Sequence, residues 1–412
     1  MIFHFDDLEV LKNNTYNFTP DSIPWLLSTL LLRHNKVCLI CKDNTEMDFI
    51  QKNVKLINPN VNIIKFPSWD FPLFSDLSPT ISNQTLRINA LIKLTNFINN
   101  NSLLLITLSS LILKIPPKED FLKKFLYIKK NDSYSTISNI KNFLINYHYH
   151  RVDVVREKFE YSLRGSIIDI FPTNFKYPLR LDFFDENLES IRVFDPLSQL
   201  SKRLIDSFYI FPASEIVFTK KIIENFRVNF RTLNFGSDNN FYQNISNGQK
   251  IPGIENLITL FYTKLDSIID LIVQYKIVYN ETTFEYLSKF YDDILLSYDQ
   301  SKYVNCKFFK DMTLEKAEII KKLKAMELIS ISSFTNFSRK DSYKIITKKI
   351  PKFSINQFEN TVDDLKSLIK KNKNKNFLFS TKNRTSKEKL KNFLEKSLTL
   401  VDLDKSNVIG NR

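Results

Sequence analysis

The segment 151–195 constrains the fold of this chain more than any other part of its sequence. It contains three apolar runs rich in β-branched and aromatic residues, separated by a proline-containing stretch and by a polar turn. These runs and the turn are Phe159–Phe171, Leu179–Phe184, Asp185–Asn187 and Leu188–Phe194. Short runs of this composition with turn residues between them predict antiparallel strands. The segment therefore predicts a small antiparallel meander, with Pro172 closing the first run.

Alternation along the second run sorts its side chains between the two faces of the predicted sheet. The apolar face carries Leu179, Leu181 and Phe183, and the opposite face carries Arg180, Asp182 and Phe184. An arginine and a phenylalanine on one solvent-facing surface are typical of a protein-binding hot spot, and Arg164 on the preceding run can join them. The alternative is an ordinary polar outer face with one exposed aromatic residue, which is common in proteins.

Three strings within this meander resemble a known protein-binding domain. They are residues 163–172, 178–185 and 189–195, and they resemble the UvrA-binding domain shared by UvrB and the bacterial transcription-repair coupling factors. Further motifs follow the order found in the coupling factors: Pro67–Pro72, Ser78-Pro79, Arg87, Pro116-Pro117, the Tyr149 region, Pro212–Glu215 and Gly248–Glu255 with Leu260-Phe261 behind it. The resemblance covers nearly the whole chain and is densest between residues 150 and 215.

Before and after the meander, strand-like and helix-like segments alternate, which indicates an α/β fold with a mostly parallel sheet covered by helices. Apolar periodicity predicts, for example, a helix over Leu86–Asn99. The resemblance implies a degenerate UvrB/helicase-like parallel-sheet domain, an inserted mixed α+β UvrA-binding domain and a small C-terminal α/β domain. The implied boundaries are 1–120 for the first part of the parallel-sheet domain, 121–211 for the UvrA-binding domain, 212–329 for the part that completes the first domain, 330–345 for a linker and 346–412 for the third domain.

The resemblance also assigns a binding site. The positions that match interface residues of the UvrA-binding domain are Arg164, Arg180 and Phe184, which we therefore expect to contact UvrA. Arginine suits this role because its planar guanidinium pairs with carboxylates through several fixed donors. The chain departs from the family pattern nearby, with Phe159 where a glycine is expected and Leu200 where an arginine is expected. The first departure can alter a strand bend, and the second removes a polar contact.

A nucleotide site is the main chemistry that a UvrB-like fold suggests. A phosphate-binding loop needs two glycines followed by lysine and then serine or threonine. Among the five glycines only Gly248 and Gly253 have the required separation, and Ile254-Glu255 follows them instead. The segment Pro20–Leu32, before the first strand, holds neither glycine nor lysine. We therefore expect no ATPase activity and no cofactor in this chain, with ATP and Mg²⁺ belonging to the translocase domains of the family.

The sequence does not predict a metal site either. Cys38 and Cys41 are three positions apart on a predicted strand, so they point to opposite faces and cannot readily share a metal ion. His148 and His150 stand near a predicted helix end without an acidic cluster beside them. We interpret these histidines as exposed surface residues and the cysteines as buried core residues.

Size and composition bound the remaining classes of protein. A chain of 412 residues suggests two to four domains, and three cysteines suit a reducing cytosol. Because no signal peptide or membrane-spanning segment is recognisable in the sequence, we predict a bacterial cytoplasmic, nucleoid-associated location and no membrane partner. The net charge of +14 is spread along the chain, with one compact basic run at Lys370–Lys375, so it is a weak indication of nucleic-acid binding.

Together these observations predict a UvrA-recruiting module that acts in nucleotide excision repair of transcribed DNA, without ATPase or translocase activity. A complete coupling factor has polymerase-binding and translocase domains that 412 residues do not accommodate, so we expect a truncated form. RNA polymerase and duplex DNA would then be partners only through the absent domains. The alternatives are a decayed, non-functional relic, a basic DNA-binding accessory protein and, with the least support from the motifs, a genuine UvrB.

Overall fold

A computed structural model of the chain describes residues 15–17, 22–95, 101–119, 124–232, 240–301, 308–332 and 342–344, together with residues 388 and 392. For residues 15–17, 308–309 and 342–344 it describes the backbone alone. The predicted third domain, 346–412, therefore lies outside the described residues except at positions 388 and 392. The basic run Lys370–Lys375 lies outside them as well.

A seven-stranded sheet forms the centre of the larger part of the molecule. Its strands, numbered along the chain, are β1 (Thr15–Asn17), β2 (Lys36–Cys41), β3 (Asn62–Phe66), β4 (Ser102–Thr107), β13 (Lys276–Asn280), β14 (Leu328–Ser332) and β15 (Ser342–Lys344). Their order across the sheet is β15-β1-β14-β13-β2-β4-β3, and the pairings are parallel. β2 and β4 are buried along almost their whole length, as expected for parallel strands with both faces covered. The predicted α/β class with a parallel sheet is confirmed.

Helices cover both faces of this sheet. The helices of the described residues are α1 (Ile23–Arg33), α2 (Asn44–Ile57), α3 (Ile81–Thr95), α4 (Leu108–Ile112), α5 (Ile137–Asn146), α6 (Lys220–Arg231), α7 (Asn240–Ser246), α8 (Ile258–Phe261), α9 (Ile268–Leu271), α10 (Thr283–Asp299), α11 (Phe308–Met312) and α12 (Lys316–Lys324), with a 3₁₀ turn at Ile254–Leu257. One face of the sheet shares a core with α1 and α2, and the other shares a larger core with α3, α4 and α10. Cys38 lies in the larger core and Cys41 in the smaller one, so their predicted opposite orientation is confirmed. None of the helices described is both long and apolar enough to cross a bilayer.

The structure corrects two boundaries that the sequence predicted. The helix expected over Leu86–Asn99 begins earlier, at Ile81, because the Thr80 hydroxyl caps its first turn by accepting a hydrogen bond from the Asn83 amide at 3.2 Å. The linker expected at 330–345 begins inside β14, and β15 lies within it as an edge strand. β14 is a strand rather than linker because its isoleucines bury their side chains in the smaller core.

The predicted meander is a six-stranded sheet with the order β11-β10-β9-β8-β7-β6. Its strands are β6 (His150–Arg151), β7 (Glu160–Arg164), β8 (Ile167–Ile170), β9 (Leu179–Phe184), β10 (Asn187–Phe194) and β11 (Ser201–Ile205). β7 to β11 pair antiparallel, while β6 joins β7 in parallel. The first run of the sequence, Phe159–Phe171, is a hairpin of β7 and β8 rather than one strand. The chain reverses there because Gly165, with φ +57°, occupies the two-residue turn.

A two-stranded antiparallel ribbon, β5 (Leu126–Lys129) and β12 (Ser207–Ile210), lies next to the meander. Two backbone hydrogen bonds of 3.0 Å join the ends of the two sheets, from the Lys130 amide to the Asp206 carbonyl and from the Asn131 amide to the Leu188 carbonyl. The inward side chains of both sheets contribute to the larger core, together with α5. The ribbon and the meander therefore share one apolar interior and present separate outer faces.

Phe159 keeps the backbone conformation that the expected glycine would adopt. Its φ is +69°, and its side chain is only 2% exposed. The left-handed conformation costs a residue other than glycine about 1–2 kcal/mol. Burial of the ring against Tyr149, with 6.2 Å between the ring centroids, offsets this cost. The backbone bend is kept, and the departure from the family pattern adds a ring to the core.

A buried ion pair joins α3 to the segment that follows the ribbon. Arg87 and Glu215 are 1% and 4% exposed, and the guanidinium donates to both carboxylate oxygens, from Nε at 2.6 Å and from Nη2 at 3.3 Å. Arg87 Nη1 donates to the Pro67 carbonyl at 2.7 Å. The rings of Phe66 and Trp69 lie 4.1 and 4.0 Å from the guanidinium carbon. The pair thus brings three of the coupling-factor motifs into one buried cluster.

Candidate protein-binding site

The three predicted site residues lie on the outer face of β7 and β9. Alternate residues of β9 are buried, so Arg180 and Phe184 point away from the core, as the sequence predicts. The strand register places Arg180 directly opposite Asp169 on β8, and Arg164 opposite Ile167. Opposite residues on adjacent strands have Cβ atoms about 4.5–5.5 Å apart, so both arginines can reach the carboxylate between them. We define the arginine face as the surface that carries Arg164, Asp169, Arg180, Asp182 and Phe184.

Asp169 is the centre of the charged contacts on this face. Its side chain is fully buried, yet it lies on the outer side of the sheet beneath two guanidinium groups. Arg180 donates to it in a bidentate manner, from Nε to Oδ1 at 2.7 Å and from Nη2 to Oδ2 at 2.9 Å. Arg164 adds a third bond, from Nη2 to Oδ2 at 3.1 Å. This carboxylate therefore fixes the orientation of both arginines, and its hydrogen bonds raise the pKa of Arg180.

The two arginines differ in how much of each remains available to a partner. The Arg180 side chain is 20% exposed, and its guanidinium also lies 4.7 Å from the centre of the Phe194 ring. Gln199 Oε1 accepts a long hydrogen bond from Arg180 Nη2 at 3.4 Å. The Arg164 side chain is 54% exposed and makes a single ion-pair contact, with Asp169. Arg180 is thus a fixed donor group, and Arg164 is the more accessible one.

The outer side of the meander is not entirely polar. Val155, Phe171 and Phe194 form a small buried cluster that is separate from the main core, and Val152 packs against it. Arg180 stacks over one of its rings, which places the guanidinium between an apolar floor and solvent. A cation held in this way is partly desolvated before any partner arrives, and this strengthens its interaction with an incoming anion.

Phe184 stands at one end of the arginine face. It is 66% exposed, and the next residue, Asp185, adopts φ +53° in the turn to β10. Four residues along a strand span about 13 Å, so Phe184 does not reach Arg180. Asp182 lies between them and accepts a hydrogen bond from Arg192 Nη2 at 3.0 Å. The structure therefore places all three predicted residues on one face without bringing Phe184 into contact with the arginines.

An open depression of about 390 Å³ lies over the arginine side of this face. Its lining consists of Val154, Arg164, Ile167, Arg180 and Gln199. The walls are apolar at the valine and the isoleucine, and the remaining groups present guanidinium and amide functions. A carboxylate or carbonyl on the surface of a protein partner fits this combination, because guanidinium groups pair well with such acceptors.

Asp195 holds the loop that carries Gln199. Its carboxylate accepts hydrogen bonds from the amides of Leu197 and Ser198 at 3.0 and 3.1 Å, and from Lys202 Nζ at 2.9 Å. The Lys202 ammonium and these amides lower the pKa of Asp195 to about 2, compared with about 3.9 in an unfolded chain. Because the folded value is the lower one, the ionised carboxylate stabilises the loop fully above about pH 4. That contribution is lost as the pH falls towards 2.

We expect this pH dependence to be visible in hydrogen exchange. The protection factors of the Leu197 and Ser198 amides should fall between about pH 4 and pH 2 in the wild type. In the Asp195→Asn variant they should be low at every pH, because the amide side chain carries no charge to attract Lys202. Equal protection of these two amides in both proteins near neutral pH would contradict this account of the loop.

Three residues of the arginine face were not predicted from the sequence. Asp169 carries a usable signal, because it alternates with the apolar residues Ile168 and Ile170 and so must point away from the core. Gln199 lies in a loop, at φ +60°, where no periodicity applies. Phe194 follows a register shift in the pairing of β10 with β11, so simple alternation does not predict its neighbours.

One histidine differs from the sequence-based interpretation. His148 was expected to be exposed, but it is 9% exposed and packs edge-on against Phe218, with 4.3 Å between the ring centroids. Burial lowers its pKa to about 3, so it is neutral at physiological pH. His150 is exposed. Across the part of the chain that the structure describes, no three His, Cys, Asp or Glu side chains are grouped to hold a metal ion.

The start of α2 has the strand–loop–helix arrangement that phosphate-binding loops use. The structure thus places the position to compare directly after β2, rather than within Pro20–Leu32, most of which forms α1. The Asp43 carboxylate accepts a hydrogen bond from the Glu46 amide at 2.9 Å, and the Glu46 carboxylate accepts one from the Lys42 amide at 2.6 Å. Two carboxylates therefore occupy the helix end that would otherwise attract a phosphate.

Comparison with known proteins agrees with this geometry. Residues 126–216 match the family described as the UvrB interaction domain, a range that contains β5 to β12 and the arginine face. Among similar proteins, the transcription-repair-coupling factor of Rickettsia typhi is 35% identical over 244 residues, that of Rickettsia bellii 28% over 367 residues and that of Haemophilus influenzae 32% over 249 residues. These matches cover 58%, 87% and 58% of this chain, but 21%, 32% and 21% of the relatives. The chain thus spans about a third or less of the length of these relatives.

Proposed function

We propose that this chain, which contains a UvrB interaction domain and is homologous to the transcription-repair-coupling factors, recruits UvrA through its arginine face. The observation that carries the proposal is the pair of arginines held by the buried Asp169 beside an open depression, with Phe184 exposed on the same face. UvrA recruitment would give the chain a role in nucleotide excision repair of transcribed DNA.

The arrangement suits recognition of a protein partner for an energetic reason. Fixing a flexible side chain at an interface commonly costs about 0.5–1.5 kcal/mol, and Asp169 has already fixed the Arg180 guanidinium before a partner binds. Phe184 supplies an exposed ring with few internal degrees of freedom. Arginines and aromatic residues are the residue types that dominate interface hot spots. UvrA is therefore expected to present acidic and carbonyl groups to the depression and an apolar pocket to Phe184.

We also propose that the described part of the chain does not hydrolyse ATP. The support is the reciprocal capping of α2 by Asp43 and Glu46, because it places negative charge where a triphosphate would need backbone amides and a lysine. Neither Gly248 nor Gly253 has a lysine and a hydroxyl residue after it. ATP-driven steps would then require protein segments other than those described. Measurable ATP hydrolysis by the purified chain that is lost on Lys42→Ala would contradict this proposal.

The Phe184→Ala variant tests the UvrA proposal with little risk to the fold. Because the side chain is 66% exposed, we expect the free energy of unfolding to change by less than about 0.5 kcal/mol. Loss of a hot-spot aromatic residue should weaken UvrA binding by about 2 kcal/mol, or roughly thirtyfold. Isothermal titration with purified UvrA measures this difference.

A matched control is available elsewhere on the surface. Tyr134 is 75% exposed and lies outside the arginine face, so Tyr134→Ala removes a comparable ring without touching the proposed site. Its UvrA affinity should stay within about twofold of the wild type. If both variants weaken binding equally, or if neither does, Phe184 is not part of the UvrA contact.

A further inference from the structure

A second surface of the UvrB interaction domain carries exposed rings that the arginine face does not use. On the outer face of the β5–β12 ribbon, Tyr127 lies directly opposite Tyr209, with 4.8 Å between the ring centroids. Phe125 contacts Tyr209 at 5.5 Å and Phe211 at 6.2 Å. Phe125, Tyr127 and Tyr209 are 45%, 40% and 47% exposed, and Phe211 is half-buried. We define these four rings as the aromatic ribbon.

The fold of the ribbon does not depend on these outer rings. Ile128, Phe208 and Ile210 alternate with them along the two strands and are buried in the larger core at 0–4% exposure. Inward-facing side chains therefore supply the apolar anchoring of both strands. Four aromatic rings on the opposite, solvent side are an unusual concentration of apolar surface, and such a patch generally marks an interaction site.

Basic residues continue the same surface. Lys129 follows Tyr127 by two positions on β5, so both side chains share the outer face, and Lys130 begins the adjoining turn. Both lysines are exposed, and neither ammonium has an ion-pair partner in the described part of the chain. Along the ribbon the outer face thus presents a row with Phe125, a row with Tyr127 and Tyr209, and then a row with Lys129. Flat aromatic surface is followed by uncompensated positive charge.

We propose that the aromatic ribbon binds single-stranded nucleic acid. Exposed bases would stack on the rings, and Lys129 and Lys130 would contact the phosphates. Rings flanked by free lysines match the two requirements of such binding, because stacking accepts every base and the cations follow the charged backbone. A duplex hides the base faces in its own stack, so it can use the lysines but not the rings. An acidic protein partner would satisfy the lysines without a need for four adjacent rings.

The aromatic ribbon and the arginine face are separate surfaces. The inward side chains of both sheets meet in the same core, so their outer faces point away from each other's site. The inference therefore stands apart from UvrA recruitment, and a variant of one surface should leave binding at the other unchanged. A molecule with both surfaces could hold a protein partner and an exposed strand at the same time.

The test is fluorescence anisotropy with a labelled oligothymidylate, and with a duplex of the same length as competitor. We expect saturable binding of the single strand by the whole chain and at least tenfold weaker binding by Tyr127→Ala/Tyr209→Ala, because each stacked base lost costs about that much. Tyr127→Phe/Tyr209→Phe keeps the rings and should bind within about twofold of the wild type. Lys129→Gln/Lys130→Gln should lower the slope of log affinity against log salt by about 1.

A matched control lies on α2, where Phe49 is 42% exposed and Lys52 is exposed on the same helix. Phe49→Ala/Lys52→Gln removes the same types of group from another surface and should bind the oligonucleotide as the wild type does. The inference is overturned if the wild type shows no saturable binding, or if the alanine variant binds as well as the phenylalanine variant. It is equally overturned if duplex competes as well as single strand. Self-association that the alanine variant loses, without oligonucleotide binding, would identify the ribbon as a contact between copies of this chain instead.

Discussion

Replacing Glu215 by alanine is expected to lower the free energy of unfolding by about 3–5 kcal/mol, because it leaves the buried Arg87 guanidinium without its counter-charge. Both side chains are almost fully buried, and the pair is bidentate, at 2.6 and 3.3 Å. The Pro67 carbonyl and the two rings that flank Arg87 cannot replace a carboxylate. The effect should appear as a lower midpoint of urea denaturation, followed by circular dichroism.

Two further variants separate charge burial from lost packing. Arg87→Met/Glu215→Leu removes both charges and keeps apolar volume, so it should be considerably more stable than Glu215→Ala. Glu224→Ala removes one partner of an exposed pair with Arg227, whose side chains are 38% and 64% exposed, and should cost less than about 1 kcal/mol. If Glu215→Ala lowered the midpoint no more than Glu224→Ala, the ion pair would have no special role in joining α3 to the segment after the ribbon.

Replacing Arg180 by alanine is expected to lower both stability and UvrA affinity. Asp169 is fully buried, and Arg180 supplies two of its three arginine hydrogen bonds. Its loss leaves the carboxylate with Arg164 alone, which should cost about 3 kcal/mol of unfolding free energy, the lower end of the range for a broken buried pair. UvrA affinity should fall by about 2 kcal/mol or more at the same time. Weak binding by this variant alone therefore does not distinguish a lost contact from a distorted domain.

A double variant resolves the two effects. Arg180→Met/Asp169→Leu removes the buried charge along with its partner, so most of the lost stability should return. UvrA binding should not return, because the guanidinium is still missing. Denaturation and UvrA titration on the same three proteins measure both quantities. Recovery of UvrA affinity together with stability would show that Arg180 acts through the fold and not through contact.

The meander and the orientation of β9 were predictable because alternation is a local property of the sequence. Arg180 and Phe184 share a face for that reason alone. The contacts of Arg180 with Asp169 and Gln199 were not predictable in the same way. They depend on the register between β8 and β9 and on the loop after β10, and both are set by packing between distant segments.

Other differences have equally local causes. The sequence did not reveal the hairpin turn within Phe159–Phe171, although Gly165 marks it, because the apolar run continues on both sides of the turn. His148 was interpreted as exposed because a histidine near a helix end usually is, whereas Phe218 packs over it from a segment far along the chain. The Arg87–Glu215 pair likewise joins residues that only the folded chain brings together.

The account depends most directly on UvrA recruitment by the arginine face, and one titration tests it. Purified UvrA is added to the wild type and to Arg164→Ala/Phe184→Ala, which removes the two most exposed site residues and leaves the Arg180–Asp169 pair intact. We predict saturable binding by the wild type and a loss of at least thirtyfold in the variant, with an unchanged circular dichroism spectrum. Equal UvrA affinity in the two proteins, or no binding by a folded wild type, would contradict the proposed function.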